Sequence, residues 1–121
     1  MSITELQYHI KLRKGDVGRY VLLPGDPGRV PLIASYLTDA RKIAENREHQ
    51  TFTGTLDGVP VSVTSTGIGG PSTAIAIEEL TKIGADTLIR VGTSGKMQDY
   101  MSSGDLIVVS AAVRDEGTAL H

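Results

Sequence analysis

The sequence predicts an α/β fold in which a mixed central sheet carries helices on its faces. Three observations support this prediction: short apolar runs recur along the chain, helical apolar spacing separates several of them, and an Asp-Gly pair joins two alternating segments. Strands that alternate with helices build a parallel sheet, whereas an Asp-Gly turn builds an antiparallel pair. The 121 residues suffice for one domain with a buried core.

The first half of the chain predicts a strand, a tight turn and a helix. Tyr20–Leu23 is an apolar run, and the turn that closes it contains Asp26, a residue type favoured at helix N-caps. Helical spacing then continues to Leu37, although Pro31 would remove a hydrogen bond from the second turn. We therefore expect the helix to begin after the turn rather than at Pro27.

The second half predicts a hairpin, a longer helix and two further strands. Asp57-Gly58 between alternating apolar segments is a hairpin signal. Apolar residues at steps of three between 70 and 83 predict a helix that Gly84 ends. The runs Thr87–Val91 and Leu106–Val109 are nearly continuous in apolar residues, which is typical of strands covered on both faces.

Composition excludes several classes of function. A formal net charge of −2 provides no broad positive field for nucleic acid, and the absence of Cys excludes disulfides and thiolate chemistry. No apolar run reaches the length of a membrane span, and the first residues lack a basic n-region. These features favour a cytoplasmic protein. Because the segment 110–121 starts a new element and stops without a cap, we expect the chain to be part of a longer one.

Glycine-rich turns follow three predicted strands and mark the place where a ligand should bind. They are Pro24-Gly25-Asp26-Pro27, Gly67-Ile68-Gly69-Gly70 and Gly92-Thr93-Ser94-Gly95. Ligands of open α/β sheets bind beyond the carboxyl ends of strands, and glycine lets the backbone approach an anion closely. Taken singly, each turn is more typical of an ordinary tight turn.

Two arginines strengthen the case for an anion. Arg29 lies four residues after Gly25, and Arg90 ends a strand otherwise made of residue types that are usually buried. A buried guanidinium is costly without an anion or carboxylate partner, and its donors match phosphate oxygens. For Arg29, a salt bridge and a phosphate contact are equally good interpretations. Arg90, with Thr93 and two glycines beside it, favours the anion.

Other site motifs are incomplete. Ser72 occupies the place of the third glycine of a dinucleotide-binding fingerprint, and the next strand ends near Arg90 rather than an acid. NAD is thereby disfavoured, although an arginine could meet the extra phosphate of NADP. The chain has neither a P-loop motif nor a nucleophile elbow. The three histidines lack metal-ligand spacing and are interpreted as surface or structural residues: His9, His49 and His121.

Three segments in combination give the chain a resemblance to the nucleoside phosphorylase family, most closely to its uridine phosphorylases: Leu23–Val30, Ser65–Ser72 and Arg90–Gly95. The likeness runs from about Tyr8 to His121, and the ending Val113–His121 is closer to the uridine than to the purine enzymes. It implies a nucleoside-phosphorylase-like sheet, here truncated. Residues 1–121 would form the N-terminal part of a single phosphorylase domain, with the remainder absent from this chain.

The resemblance implies that uridine and inorganic phosphate are converted to uracil and ribose 1-phosphate, without an organic cofactor. By position, the phosphate site would consist of Gly25, Arg29, Arg90, Thr93 and, from a neighbouring subunit, Arg47. Arg29, Arg90 and Thr93 would be the catalytic residues. His9 would reach the ribose 5′-hydroxyl across a dimer interface, while Thr93 would also touch the ribose.

The remaining implied contacts concern the base and a cation. Ser94 and Gly95 would line the base pocket. A potassium ion between subunits would be held by Glu48, by the carbonyl of Ile68 and by Ser72. The family forms dimers that assemble into hexamers, so a homo-oligomer is expected, with small-molecule substrates and with neither nucleic acid nor membrane as a partner.

Three alternatives stay open. They are a purine nucleoside phosphorylase of the same family, a non-catalytic phosphate- or nucleotide-binding module, and an NADP-linked domain. The family's base-reading residues lie in a second half that this sequence does not contain. We therefore expect the 121 residues alone to be inactive.

Overall fold

One five-stranded sheet organises residues 5–120, which are the part of the chain that the computed structural model describes. The strands are β1 (Tyr20–Leu23), β2 (Thr38–Asn46), β3 (His49–Leu56), β4 (Val59–Thr64) and β5 (Thr87–Arg90). Helix α1 (Val30–Ala34) connects β1 to β2, and helix α2 (Gly70–Lys82) connects β4 to β5. Met1–Thr4 and His121 lie outside the described residues.

The sheet is mixed, as the sequence predicts. Its spatial order is β2-β3-β4-β1-β5. Strand β1 runs parallel to both of its neighbours, β4 and β5, whereas β3 runs antiparallel to β2 and β4. The parallel strands therefore present their carboxyl ends at one edge of the sheet, where ligands of open α/β sheets bind. The predicted fold class is confirmed.

The turns follow their local sequence signals. Leu56 pairs with Val59, and the residues between them, Asp57 and Gly58, have φ angles of 50° and 80°. Two left-handed residues in a two-residue loop match the twist of the hairpin strands, which is why Asp-Gly is favoured there. The hairpin prediction is confirmed.

Helix α1 begins after the turn rather than at Pro27, as the position of Pro31 predicts. The Asp26 side chain accepts a hydrogen bond of 2.8 Å from the Gly28 N–H and caps a short 3-10 turn, Pro27–Arg29. Helix α1 then starts at Val30, so Pro31 falls in its first turn, where no intrahelical N–H bond is lost. The helix is shorter than the apolar spacing to Leu37 predicts.

The core lies on both faces of β1. On one face, Val21 and Leu23 pack with Leu80 and Ile83 of α2 and with the N-terminal segment around Ile10. On the other face, a smaller cluster contains Val30, Ala34 and Val63. Side chains that alternate along β1 therefore pack into both core clusters. This packing fixes the position of the turn that follows β1.

We predict that Leu80→Ala destabilises the protein by about 2–5 kcal/mol, because the leucine is fully buried and a cavity would remain. Chemical denaturation measures the change. Leu32→Ala is the control, since Leu32 is 64% exposed in α1 and should have little effect. Equal losses from the two variants would contradict the assignment of α2 to the core.

The chain after β5 departs from the prediction. Thr87–Arg90 forms the predicted strand, but Leu106–Val109 forms none, and its Leu106 is 98% exposed. The expectation of coverage on both faces is also wrong for β5, because Ile89 is 50% exposed. A strand needs a neighbouring strand for its backbone groups, and residues 5–120 place none beside this run. None of the helices within residues 5–120 combines the length and the apolar character of a membrane-spanning segment.

Candidate functional site

A cleft of about 710 Å³ opens at the carboxyl ends of the three parallel strands. Each strand delivers one glycine-rich turn to its wall: Gly25 follows β1, Gly67 follows β4, and Gly92 follows β5. Both arginines singled out in the sequence, Arg29 and Arg90, line the same cleft. The structure therefore brings residues from distant parts of the chain around one space.

Backbone hydrogen bonds hold the turns in register beyond the ends of the strands. Thr66 N–H donates to the Pro24 carbonyl and Gly67 N–H to the Gly25 carbonyl, both at 2.9 Å. Val91 N–H donates to the Leu23 carbonyl at 3.1 Å. The backbone hydrogen bonds of the sheet therefore continue into the turns that form the cleft wall.

The guanidinium of Arg90 is oriented by main-chain carbonyls. Its Nη1 donates to the Leu23 carbonyl at 3.0 Å and to the Val91 carbonyl at 2.7 Å. Its Nη2 lies 3.1 Å from the position that a Cβ on Gly25 would occupy. Within residues 5–120, neither Nη2 nor Nε donates to a protein acceptor. Glycine at 25 thus admits the guanidinium, and the unused donors remain for an anion.

The expectation from the sequence that Arg90 is buried is wrong. Residue 90 is exposed rather than buried, because no second layer formed by residues 5–120 covers the edge strand β5 at this point. The desolvation penalty expected from the apolar strand sequence therefore does not apply. The case for an anion rests instead on the orientation of the guanidinium toward Gly25 and on its free donors.

Arg29 is positioned by the turn after β1. It ends the 3-10 turn capped by Asp26, and it is half-buried. Among the described residues, Arg29 forms no ion pair with a carboxylate. The salt-bridge interpretation of Arg29 finds no support there, while its place in the cleft fits the anion interpretation.

The cleft also contains two carboxylates, and both are held by protein donors. The Asp26 carboxylate accepts the Gly28 N–H, and the Glu48 carboxylate accepts the Ser72 hydroxyl at 2.7 Å. The hydrogen bond from Ser72 is the main reason that the pKa of Glu48 lies below its ordinary value. The cleft lining thus has two arginines and two acids, so its positive charge is concentrated at the arginines rather than spread over the cleft.

The N-terminus of α2 adds positive potential. Gly69, the N-cap residue, provides no side-chain cap, and Ser72 and Thr73 of the first turn line the cleft. Uncapped N–H groups and the helix dipole favour a negative charge near this end. The 13-residue helix therefore supports the two guanidiniums in attracting an anion.

The predicted cation ligands lie next to one another. Glu48, Ile68 and Ser72 all line the cleft, and Gly67 lies between them with a φ angle of 74°. A Cβ on Gly67 would lie 2.5 Å from Glu48 Cγ and 2.9 Å from Ser72 Oγ. Within residues 5–120, no cluster of three or more His, Asp or Glu side chains could hold a metal.

The other predicted residues lie outside this cleft. Arg47 is exposed at the tip of the β2–β3 hairpin, and Ser94 and Gly95 are exposed just beyond Thr93, which does line the cleft. His9 is 30% exposed and pairs with Glu79 in α2. The resemblance predicts that Arg47 and His9 contact the site of a neighbouring subunit. We therefore do not expect them to line the cleft of their own subunit.

One histidine fits its sequence-based interpretation, and one buried acid was not predicted from the sequence. Buried His49 bonds to the Ser65 carbonyl at 2.9 Å, which fits its interpretation as a structural histidine. Glu79 is buried on the core-facing side of α2, beside Ala76 and Leu80. An acid that follows the apolar spacing of a helix is the signal that could have identified it, because a buried carboxylate requires partners.

Comparisons with known proteins all find phosphorylases that are similar to this chain. A family model described as "Phosphorylase superfamily" matches residues 19–120. A uridine phosphorylase of Thermococcus kodakarensis is 65% identical over 114 residues, covering 94% of this chain and 41% of the relative. A uridine phosphorylase of Treponema pallidum is 53% identical over 116 residues, covering 96% of this chain and 45% of the relative.

A solved structure shows the same fold. The crystal structure of uridine phosphorylase from Vibrio fischeri superimposes with a TM-score of 0.76 at 43% sequence identity, covering 79% of this chain and 40% of that one. The chain thus spans less than half the length of the relatives that it matches. With the sheet, the order of the glycine-rich turns and the family model in agreement, the chain belongs to the phosphorylase superfamily.

Proposed function

We propose that the protein containing this chain is a uridine phosphorylase, and that this chain forms the phosphate-binding part of its site. The observation that carries the proposal is the meeting of Arg29, Arg90 and the α2 N-terminus in one cleft. The names of the two relatives at 65% and 53% identity support uridine as the nucleoside. The activity would serve pyrimidine salvage in the cytoplasm.

In this proposal a phosphate oxygen attacks C1′ of the ribose, and the bond from C1′ to the base breaks with its electron pair leaving on the base. Positive charge develops at C1′ in the transition state, so a phosphate fixed beside it supplies both nucleophile and compensating charge. Arg29, Arg90 and the Gly25 backbone hold the phosphate, and Thr93 contacts phosphate and ribose. No nucleophilic side chain is required.

We propose further that two subunits share each site, within a dimer or within a hexamer that is assembled from dimers. His9 and Arg47 are the residues that would cross the interface, and Ser94 and Gly95 would face the base. Arg47 supports this because it has a left-handed φ of 52° at an exposed hairpin tip, where an arginine costs conformational energy. A residue kept at such a cost is a candidate for function.

We predict that Arg47→Gly raises the free energy of unfolding by about 1 kcal/mol, because glycine adopts positive φ without strain. The same variant should bind phosphate more weakly in the assembled protein. Thermal unfolding and a phosphate titration measure the two effects. Weaker binding together with lower stability would indicate simple damage to the hairpin and contradict the assigned role.

A potassium ion is proposed at Glu48, Ser72 and the Ile68 carbonyl. Their donor atoms are oxygens, the type that hard cations prefer, and the lowered pKa of Glu48 keeps its carboxylate charged in the cleft. A bound cation would offset that negative charge beside the phosphate. Ser72 would hold the Glu48 carboxylate in place, as its hydrogen bond does here.

The test of the function is the formation of uracil and ribose 1-phosphate from uridine and phosphate by the intact protein. Uridine turnover that requires phosphate supports the proposal, whereas turnover of purine nucleosides only would favour the purine relative. Calorimetry with phosphate, uridine and NADP distinguishes the remaining alternatives. Binding of NADP without phosphate binding would overturn the phosphorylase assignment. The 121 residues alone should be inactive, since they supply one wall of the site.

A further inference from the structure

A buried carboxylate in the middle of α2 holds the segment that carries His9. Glu79 Oε1 lies 2.7 Å from His9 Nδ1, and Glu79 Oε2 accepts a hydrogen bond of 2.9 Å from the Ile10 N–H. The His9 N–H lies 3.1 Å from both oxygens. Only 10% of the Glu79 side chain is exposed. Within residues 5–120, every hydrogen bond to this carboxylate therefore comes from two adjacent residues of the N-terminal segment.

These contacts determine where the proton of His9 lies. An ionised carboxylate has only acceptors, and both oxygens already face main-chain N–H donors. The 2.7 Å contact to Nδ1 then requires that Nδ1 carries the hydrogen. In a neutral imidazole the other nitrogen, Nε2, must be the acceptor.

Glu79 is ionised in the folded protein. Burial alone would raise its pKa, but hydrogen bonds from Ile10 and His9 outweigh burial and place the pKa below its ordinary value. The carboxylate is thus charged at neutral pH, as an acceptor-only partner must be.

The His9 ring is held in orientation while one edge remains accessible. Asn46 Nδ2 donates to the His9 carbonyl at 2.7 Å, and the Tyr8 ring packs edge-on at a centroid distance of 4.9 Å. The His9 side chain is 30% exposed, and Nε2 makes no hydrogen bond to any residue between 5 and 120. A ring fixed at Nδ1 with a free Nε2 is suited to accept a hydrogen bond from a ligand.

We propose that Glu79 is a positioning residue that fixes the Nδ1–H tautomer of His9 and thereby presents Nε2 as the acceptor for the nucleoside 5′-hydroxyl. The inference rests on the proposed function for the identity of that hydroxyl. It does not rest on it for the tautomer, which follows from the contacts of Glu79. Glu79 itself touches no substrate.

The tautomer is tested in the ligand-free intact protein by two-bond ¹H–¹⁵N correlation spectra of the histidine rings at neutral pH. We expect the hydrogen of the His9 ring on Nδ1, which faces Glu79, with Nε2 as the acceptor nitrogen. In Glu79→Gln the side-chain amide can donate to Nδ1, so the ring should shift toward the Nε2–H tautomer. Glu78→Gln is the matched control, because Glu78 is the residue directly before Glu79 in α2 and is exposed. A wild-type His9 that carries its hydrogen on Nε2, or on both nitrogens, overturns the proposal.

The second measurement compares uridine with 5′-deoxyuridine, which lacks the hydroxyl. Glu79→Gln should reduce the preference in kcat/KM for uridine by roughly five- to tenfold, the effect of one lost neutral hydrogen bond. Glu78→Gln should leave the preference unchanged. If Glu79→Gln lowers both rates equally, Glu79 is merely structural and the inference fails. If the wild type cleaves neither nucleoside, the proposed function fails, while the spectra still decide the tautomer.

Discussion

Arg90→Ala should lower kcat/KM for phosphate by roughly 10- to 100-fold, since a hydrogen bond to a charged group contributes about 1.5–3 kcal/mol. The expectation follows from the Arg90 guanidinium, which carbonyls of Leu23 and Val91 orient beside Gly25. Its remaining donors match two oxygens of a tetrahedral anion, a geometry that alanine removes completely. Steady-state kinetics with varied phosphate measures the loss.

Two variants separate this effect from a general loss of charge. Arg90→Lys keeps the charge without the planar donors and should recover only part of the activity. Arg19→Ala removes an exposed arginine that pairs with Asp86 just before β1 begins, at the opposite end of the strand, and should leave phosphate kinetics unchanged. A loss of equal size in the Arg19 and Arg90 variants would indicate that only overall charge matters.

Gly67→Ala should destabilise the protein by about 2–5 kcal/mol, because a left-handed φ and overpacking each cost energy. Gly67 has a φ of 74°, and a Cβ there would collide with the Glu48 side chain at 2.5 Å. Relief of the collision requires a shift of the Glu48 side chain or of the loop after β4, both of which line the cleft. We therefore expect phosphate binding to weaken as well, as measured by denaturation and by calorimetry.

Gly84→Ala is the matched control for that variant. Gly84 ends α2 with a φ of 111°, and a Cβ there would meet nothing within 4 Å. Its cost is therefore the backbone strain alone, about 1–2 kcal/mol. The difference between the two glycine variants isolates the collision with Glu48. Equal costs for both variants would contradict the close packing of Glu48 and Ser72 around Gly67.

Residues close together in the sequence predicted the elements that form through interactions between near neighbours in the chain. The Asp57-Gly58 hairpin and helix α2 each follow from residues within one turn or one helix face, and both are confirmed. Leu106–Val109 shows the limit of this reasoning. Apolar composition indicates that a run can be a strand, but pairing depends on a neighbour distant in sequence.

The candidate site, too, could be predicted only where it depends on local sequence. Glycine-rich turns placed after strands predicted which edge of the sheet would carry the cleft, because parallel strands end together. The exposure of Arg90 was not predictable, since it depends on whether another layer covers β5. The helical spacing of α2 indicates that Glu79 is a buried acid, but no local pattern reveals its partner, a main-chain segment about 70 residues away.

The proposed function requires that Arg29 and Arg90 bind the same oxyanion. A crystal of the intact protein soaked in tungstate, a tetrahedral stand-in for phosphate, tests it by anomalous scattering. We predict one strong peak in the cleft, with tungstate oxygens about 3 Å from both guanidinium groups and near the Gly25 backbone. A peak bound to only one of the two arginines, or located elsewhere on the surface, would contradict the account.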